Sequence, residues 1–117
     1  AHCRESAEGR IETKIVLDDV ACVGVCLASA GYPPAPDKTG DVIEGVDAAA
    51  AHPDVTVFHM GTKVVDGALT TNGGRVLTVS ATGPDIATAR DRAYEAAAEI
   101  TWSGLHYRHD IAAQALP

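Results

Sequence analysis

The stretch Val20-Ala21-Cys22-Val23-Gly24-Val25-Cys26-Leu27-Ala28-Ser29 is an apolar run of Val, Cys, Leu and Ala interrupted by one Gly. Such a run reads as a long strand buried on both faces, or as a strand bulged at Gly24, and it marks the centre of the fold. At about 3.3 Å per extended residue, the Cα atoms of Cys22 and Cys26 stand about 13 Å apart, too far for one disulfide or one metal ion. Both are expected to be buried free thiols that pack as small hydrophobes. The third cysteine, Cys3, has no evident partner.

Upstream of this strand, Ala1 to Glu8 resembles the last turns of a helix, with Gly9 as its stop signal. Such an opening is expected of a domain cut from a longer chain. Residues Glu12 to Leu17 roughly alternate, and Asp18-Asp19 makes a charged turn. Downstream, Ala30 to Gly40 holds three prolines and two glycines, which neither a helix nor a central strand tolerates, so it reads as a shaped loop. A short extended piece follows from Asp41 to Gly45. Asp47 then caps a short helix through Ala51 that Pro53 ends.

Val55 to Met60 reads as a strand, and Asp66-Gly67 between Lys63-Val64-Val65 and Ala68-Leu69-Thr70-Thr71 is a two-residue hairpin signal. Asn72-Gly73-Gly74 is a second turn leading into Arg75 to Ala81, so the strands are expected to form an antiparallel meander. After Gly83-Pro84, a helix runs from Asp85 to about Thr101. Ile86, Ala89, Ala93, Ala96, Ala97 and Ile100 form its apolar face, with Arg90, Asp91 and Glu95 opposite. Leu105 and Tyr107, in the closing segment from Gly104, are placed to add an edge strand. The class is α+β: an antiparallel sheet or partial β-barrel with one long helix packed on it.

The 117 residues suit a single domain, residues 1–117, with one core. Hydrophobic residues are 46% and aromatics only 4%, so Val, Ile, Leu and Ala must supply that core. A net charge of −7, from 9 basic and 16 acidic residues, argues against a nucleic-acid surface, which needs clustered cations. No apolar run approaches the roughly 18 residues of a membrane span, and no signal peptide opens the chain. A cytoplasmic protein is expected.

The phosphate loops, nucleophile elbow and zinc-protease motif of common enzymes are absent, so no catalytic residue is assigned. His106 and His109, three residues apart without a suitable Cys or carboxylate, make a poor metal site, and none is assigned. Thr71-Asn72-Gly73-Gly74-Arg75 carries more chemistry. Adjacent glycines let a turn present N–H groups to an anion, beside the forked cation of Arg75; the plain alternative is a hairpin turn followed by a solvated Arg. Tyr32, in Gly31-Tyr32-Pro33-Pro34, and Lys38 belong to a rigid loop at a site or to a simple connection.

Six blocks carry a resemblance that covers nearly the whole chain. They are Leu27-Ala28-Ser29-Ala30-Gly31-Tyr32-Pro33, Gly40-Asp41-Val42-Ile43-Glu44-Gly45-Val46-Asp47, Val57-Phe58-His59-Met60-Gly61-Thr62, Asp66-Gly67, Thr71-Asn72-Gly73-Gly74-Arg75-Val76-Leu77-Thr78-Val79-Ser80-Ala81 and Tyr107-Arg108-His109-Asp110-Ile111-Ala112. In order and spacing they resemble the carboxy-terminal domain of the phosphoribosylamine–glycine ligase family, enzymes of the ATP-grasp type in purine biosynthesis. The chain departs from the family pattern at Pro34-Ala35-Pro36, where a Gly-containing loop is usual, and at Thr78, where Gly is usual.

The resemblance implies a larger enzyme that joins glycine to 5-phosphoribosylamine with ATP and Mg²⁺ and releases ADP and phosphate. It places the nucleotide clamp and the Mg²⁺ carboxylates in preceding domains, so this part binds no cofactor and is expected to be inactive alone. The preceding ATP-grasp domains of the same chain become its partners, and it helps enclose the acceptor substrate. Arg75 with Gly73 and Gly74 becomes a phosphate or carboxylate contact, followed by Lys38 and Tyr32. An apolar face is expected where the other domains dock, which also allows a homodimer through that face. The alternative is a free-standing anion-binding or interaction module of the same fold.

Overall fold

The structure is a computed structural model, and it describes residues 2–12, 14 and 16–116. Its elements in chain order are α1 (His2–Ala7), β1 (Ala21–Ala28), α2 (Val46–Ala50), β2 (Val55–His59), β3 (Thr62–Val65), β4 (Ala68–Thr71), β5 (Arg75–Gly83) and α3 (Ile86–Ala97), with a 3-10 turn at Ala113–Ala115. The α+β class holds: antiparallel strands form two sheets, and the long helix covers one of them.

The three-stranded sheet has the order β1-β5-β2, so its centre is β5 and not β1. β1 is buried on one face only. Val23, Val25 and Leu27 point into the core, while Cys22 and Gly24 are exposed and Cys26 is half-buried. The expectation of buried thiols therefore fails, and Cys3 is exposed as well. The cause is side-chain size: small neutral residues at outward positions let an alternating strand pass for a continuous apolar run. The strand is irregular between Leu27 and Ala28, not at Gly24.

The meander is also corrected. β3 and β4 form a separate ribbon, turned at Asp66 (φ 50°) and Gly67 (φ 79°), the paired left-handed conformations that suit an Asp-Gly hairpin. Across the Asn72-Gly73-Gly74 turn the chain does not pair β5 with β4. It returns to pair β5 with β2, from Val55 opposite Ala81 to His59 opposite Leu77. A two-residue hairpin signal fixes only its own ribbon. The partner of the next strand is chosen by which apolar faces must meet.

Ala89, Ala93, Ala96 and Ala97 of α3 are fully buried against β1 and β5. Alanine on the helix lets its axis approach the sheet, and Val25, Leu27, Leu77 and Val79 fill the layer between, each completely buried. Each such side chain contributes about 1.5–3 kcal/mol relative to exposure. The helix opens on Asp85, whose carboxylate accepts from the Thr88 N–H at 2.7 Å. That hydrogen bond holds the Asp85 carboxyl below the usual carboxylate range. Asp85 is thus the cap and not the first helical residue. The helix also ends at Ala97, short of Thr101, because Thr101 exchanges two backbone hydrogen bonds with Glu44 (both 2.9 Å) and is drawn into extended pairing.

The second short helix begins two residues earlier than expected, with Gly45 as its cap in a left-handed conformation (φ 87°) and Asp47 in its first turn. Gly45 is required there, since a Cβ would collide with the carbonyl of Glu99. In the closing segment only His106 pairs with β1, in a single bridge to Ala28, so no further strand forms. α1 forms as expected and stops at Gly9 (φ 79°). Between it and β1 the described residues hold no strand; Thr13 and Ile15 of the alternating stretch lie outside them.

Candidate functional site

The corner around Tyr32 begins with Ser29, which is 2% exposed and has every polar atom engaged. Its N–H donates to the carbonyl of Gly74 at 2.8 Å and its Oγ to the carbonyl of Gly73 at 3.1 Å. Its own carbonyl accepts from the N–H of Tyr32 at 3.2 Å and from Nε2 of His106 at 2.8 Å. One buried serine thereby ties the proline-rich loop, the turn before β5 and the closing segment together. The loop is closed again where Asp37 N–H donates to the carbonyl of Ala30 at 2.7 Å.

Two glycines, Gly61 and Gly74, allow this packing. Gly61 crosses Gly73 so closely that a Cβ on Gly61 would stand 2.7 Å from the carbonyl oxygen of Arg75. Gly74 lies against the ring of Tyr32, and a Cβ there would overlap the ring carbons. Neither Gly73 nor Gly74 has the left-handed φ used by a nest of N–H groups, and both turn their carbonyls toward Ser29. The anion-binding capacity of the corner therefore rests on side chains.

Of these, Arg75 is exposed at the start of β5 with its guanidinium 6.0 Å from the centre of the Tyr32 ring. Among the described residues no carboxylate stands within ion-pair distance of it. Arg4, Arg10, Arg92 and Arg108 all have such partners, and Arg90 donates to two backbone carbonyls. An unpaired guanidinium beside an aromatic face can meet a phosphate or carboxylate in fork geometry. Lys38 is different: its Nζ is 3.0 Å from Asp41 and 3.5 Å from the hydroxyl of Ser103. The structure thus brings Tyr32, Gly73, Gly74 and Arg75 together and gives Lys38 its own counter-ion.

Sequence reasoning passed over Ser29 and Gly61. Both stand inside the quoted blocks, but a serine after an apolar run reads as the end of a strand. A single Gly after a strand reads as a turn. Their role depends on contacts 44 residues away in one case and 12 in the other, between Ser29 and Gly73 and between Gly61 and Gly73. Elsewhere, no group of three His, Cys, Asp or Glu among the described residues is placed to hold a metal ion, and no described helix is long and apolar enough to cross a membrane.

Fold and corner together define a small α+β domain in which Arg75, with no carboxylate partner among the described residues, stands at the start of β5 beside Tyr32. The chain belongs to the family described as phosphoribosylglycinamide synthetase, C domain, which matches residues 22–114. It is similar to a phosphoribosylamine–glycine ligase of Pseudomonas putida, 50% identical over 94 residues, which are 80% of this chain and 21% of the relative. A ligase of the same name from Streptomyces coelicolor is 50% identical over 99 residues, 83% of this chain and 24% of the relative. The crystal structure of the Thermotoga maritima phosphoribosylamine–glycine ligase superimposes with a TM-score of 0.77 at 35% identity, covering 93% of this chain and 26% of that one. The chain therefore spans about a quarter of the length of these relatives or less.

Proposed function

We propose that this chain serves as the carboxy-terminal domain of a ligase that joins glycine to 5-phosphoribosylamine at the expense of ATP. The observation that carries the proposal is the match of family and fold over nearly the whole chain, at half identity to ligases of which the matched segment makes up 21–24%. In this reading the ATP and Mg²⁺ sites lie in the other domains of the enzyme, which are this domain's partners. The domain helps to enclose the acceptor substrate, and Arg75 meets an oxyanion of it across the face of Tyr32. Gly73, Gly74 and Ser29 hold that pair in place. Lys38, neutralised by Asp41, contributes less. The enzyme is expected to work in the cytoplasm.

The isolated chain should fold, and with ATP, Mg²⁺, glycine and phosphoribosylamine it should release neither ADP nor glycinamide ribonucleotide. Turnover by the purified chain would overturn the division of labour proposed here.

A further inference from the structure

The three-stranded sheet has one face covered by α3 and one face bare. The outward positions are Cys22, Gly24 and Cys26 on β1, Thr82, Ser80 and Thr78 on β5, and Thr56 and Phe58 on β2, aligned in rows by the strand register. Not one of them is charged, in a chain that is 21% charged. A sheet face that meets water normally alternates to polar and charged residues. Here the polar atoms are in part satisfied within the face itself. The sulfur of Cys22 lies 3.3 Å from the hydroxyl of Ser80, and Thr78 Oγ1 donates to the sulfur of Met60 at 3.0 Å. Phe58 and Met60, 54% and 50% exposed, stand along one border. The surface is uncharged and ready to lose its water.

We propose that this bare face is the surface on which the chain meets the remaining domains of the ligase, an inference that rests on the function proposed above. Size favours that occupant over a second copy. Three strands about 4.8 Å apart and five residues long cover roughly 250 Å². Counted on both partners that is about 500 Å², just under the roughly 600 Å² at the lower end of an interdomain contact, whereas a stable free complex buries roughly 800 Å² on each partner. A covalent tether compensates for small area by raising the effective concentration of the neighbour. The relatives supply such a tethered neighbour, three quarters of whose length lies beyond the region matched here. The segment that leads into β1 points the same way, since Ile11, Val16, Leu17 and Val20 are 54–86% exposed and find no cover in this chain.

The test compares the isolated chain with a full-length Pseudomonas putida ligase whose matching segment is replaced by this chain. Modification by N-ethylmaleimide is followed peptide by peptide. Cys22 should react readily in the isolated chain and at least about tenfold more slowly in the full-length protein. Ser80→Arg should leave the isolated chain folded and lower the activity of the full-length protein, whereas Glu95→Arg on the exposed face of α3 should change neither. Equal Cys22 reactivity in an active full-length protein would overturn the docking face and leave the function standing. A protected Cys22 in a full-length protein that makes no product would keep the face and overturn the function. Protection that appears in the isolated chain as its concentration rises would replace the tethered domains by a second copy and overturn the proposal. Should Ser80→Arg prevent folding, the reactivity of the unsubstituted protein decides.

Discussion

The ring of Tyr32 occupies the space that a side chain on Gly74 would need, with ring carbons as the nearest atoms to a Cβ built there. Gly74→Ala must therefore push the ring aside or shift the start of β5, and a loss of about 1–3 kcal/mol is expected from such overpacking. Truncating the ring removes the obstacle. Urea unfolding of Gly74→Ala, Tyr32→Ala and the double variant should show that the Gly74 substitution costs much less once Tyr32 is absent. Strict additivity would mean that the two do not compete for the same space.

Arg75 touches the ring of Tyr32 but no carboxylate among the described residues. In the whole enzyme, Arg75→Ala should weaken transition-state stabilisation by about 1.5–3 kcal/mol, roughly ten- to a hundredfold in kcat/KM for phosphoribosylamine. Thermal unfolding should change little, because an exposed Arg without an ion pair contributes little to stability. Normal kinetics with impaired folding would make Arg75 a tether between domains instead of a substrate contact.

Tyr94 fastens the closing segment to α3: its hydroxyl donates to the carbonyl of Arg108 at 2.5 Å and accepts from the N–H of Ile111 at 3.1 Å. Arg90 lies 4.9 Å from the same ring and donates to the carbonyls of His109 and Ile111, both at 2.8 Å. Tyr94→Phe should cost about 1–3 kcal/mol, since it leaves a carbonyl and an N–H without their partner. Limited proteolysis should then cut within residues 108–116 before the sheet is lost. An unchanged cleavage pattern would show that Arg90 alone holds the segment.

Asp85 has its carboxyl pKa lowered by the hydrogen bonds from Thr88 at the start of α3. A group with a depressed folded pKa stabilises fully above its unfolded pKa, and that contribution disappears as pH falls through the folded value. The loss therefore belongs below the ordinary carboxylate range and not near neutrality. Asp85→Asn keeps a cap acceptor but cannot titrate. Urea midpoints measured from neutral to strongly acid pH should agree near neutrality and fall more steeply for the wild type in acid. Asp110, lowered by its hydrogen bonds from Arg108, titrates in both proteins and cancels in the comparison.

The helix on Ala89, Ala93, Ala96 and Ala97 and the Asp66-Gly67 ribbon were legible because period and turn chemistry are local signals. The position of β1 at a sheet edge was not. Cys22, Gly24 and Cys26 are small enough to look buried, and nothing within the strand reports that only one face is covered. The pairing of β5 with β2, across an inserted ribbon, is likewise a long-range choice. At the candidate site the blocks around Tyr32 and Arg75 could be read, whereas Ser29 gains its meaning only from partners 44 and 77 residues away.

Replacement of the matching quarter of the Pseudomonas putida ligase by this chain tests the central claim most directly, with glycinamide ribonucleotide formation as the readout. The parent lacking that quarter should be inactive, and the protein carrying this chain should make product in a reaction that requires ATP, glycine and phosphoribosylamine together. A folded full-length protein that carries this chain and forms no product would contradict its assignment as the carboxy-terminal domain of such a ligase.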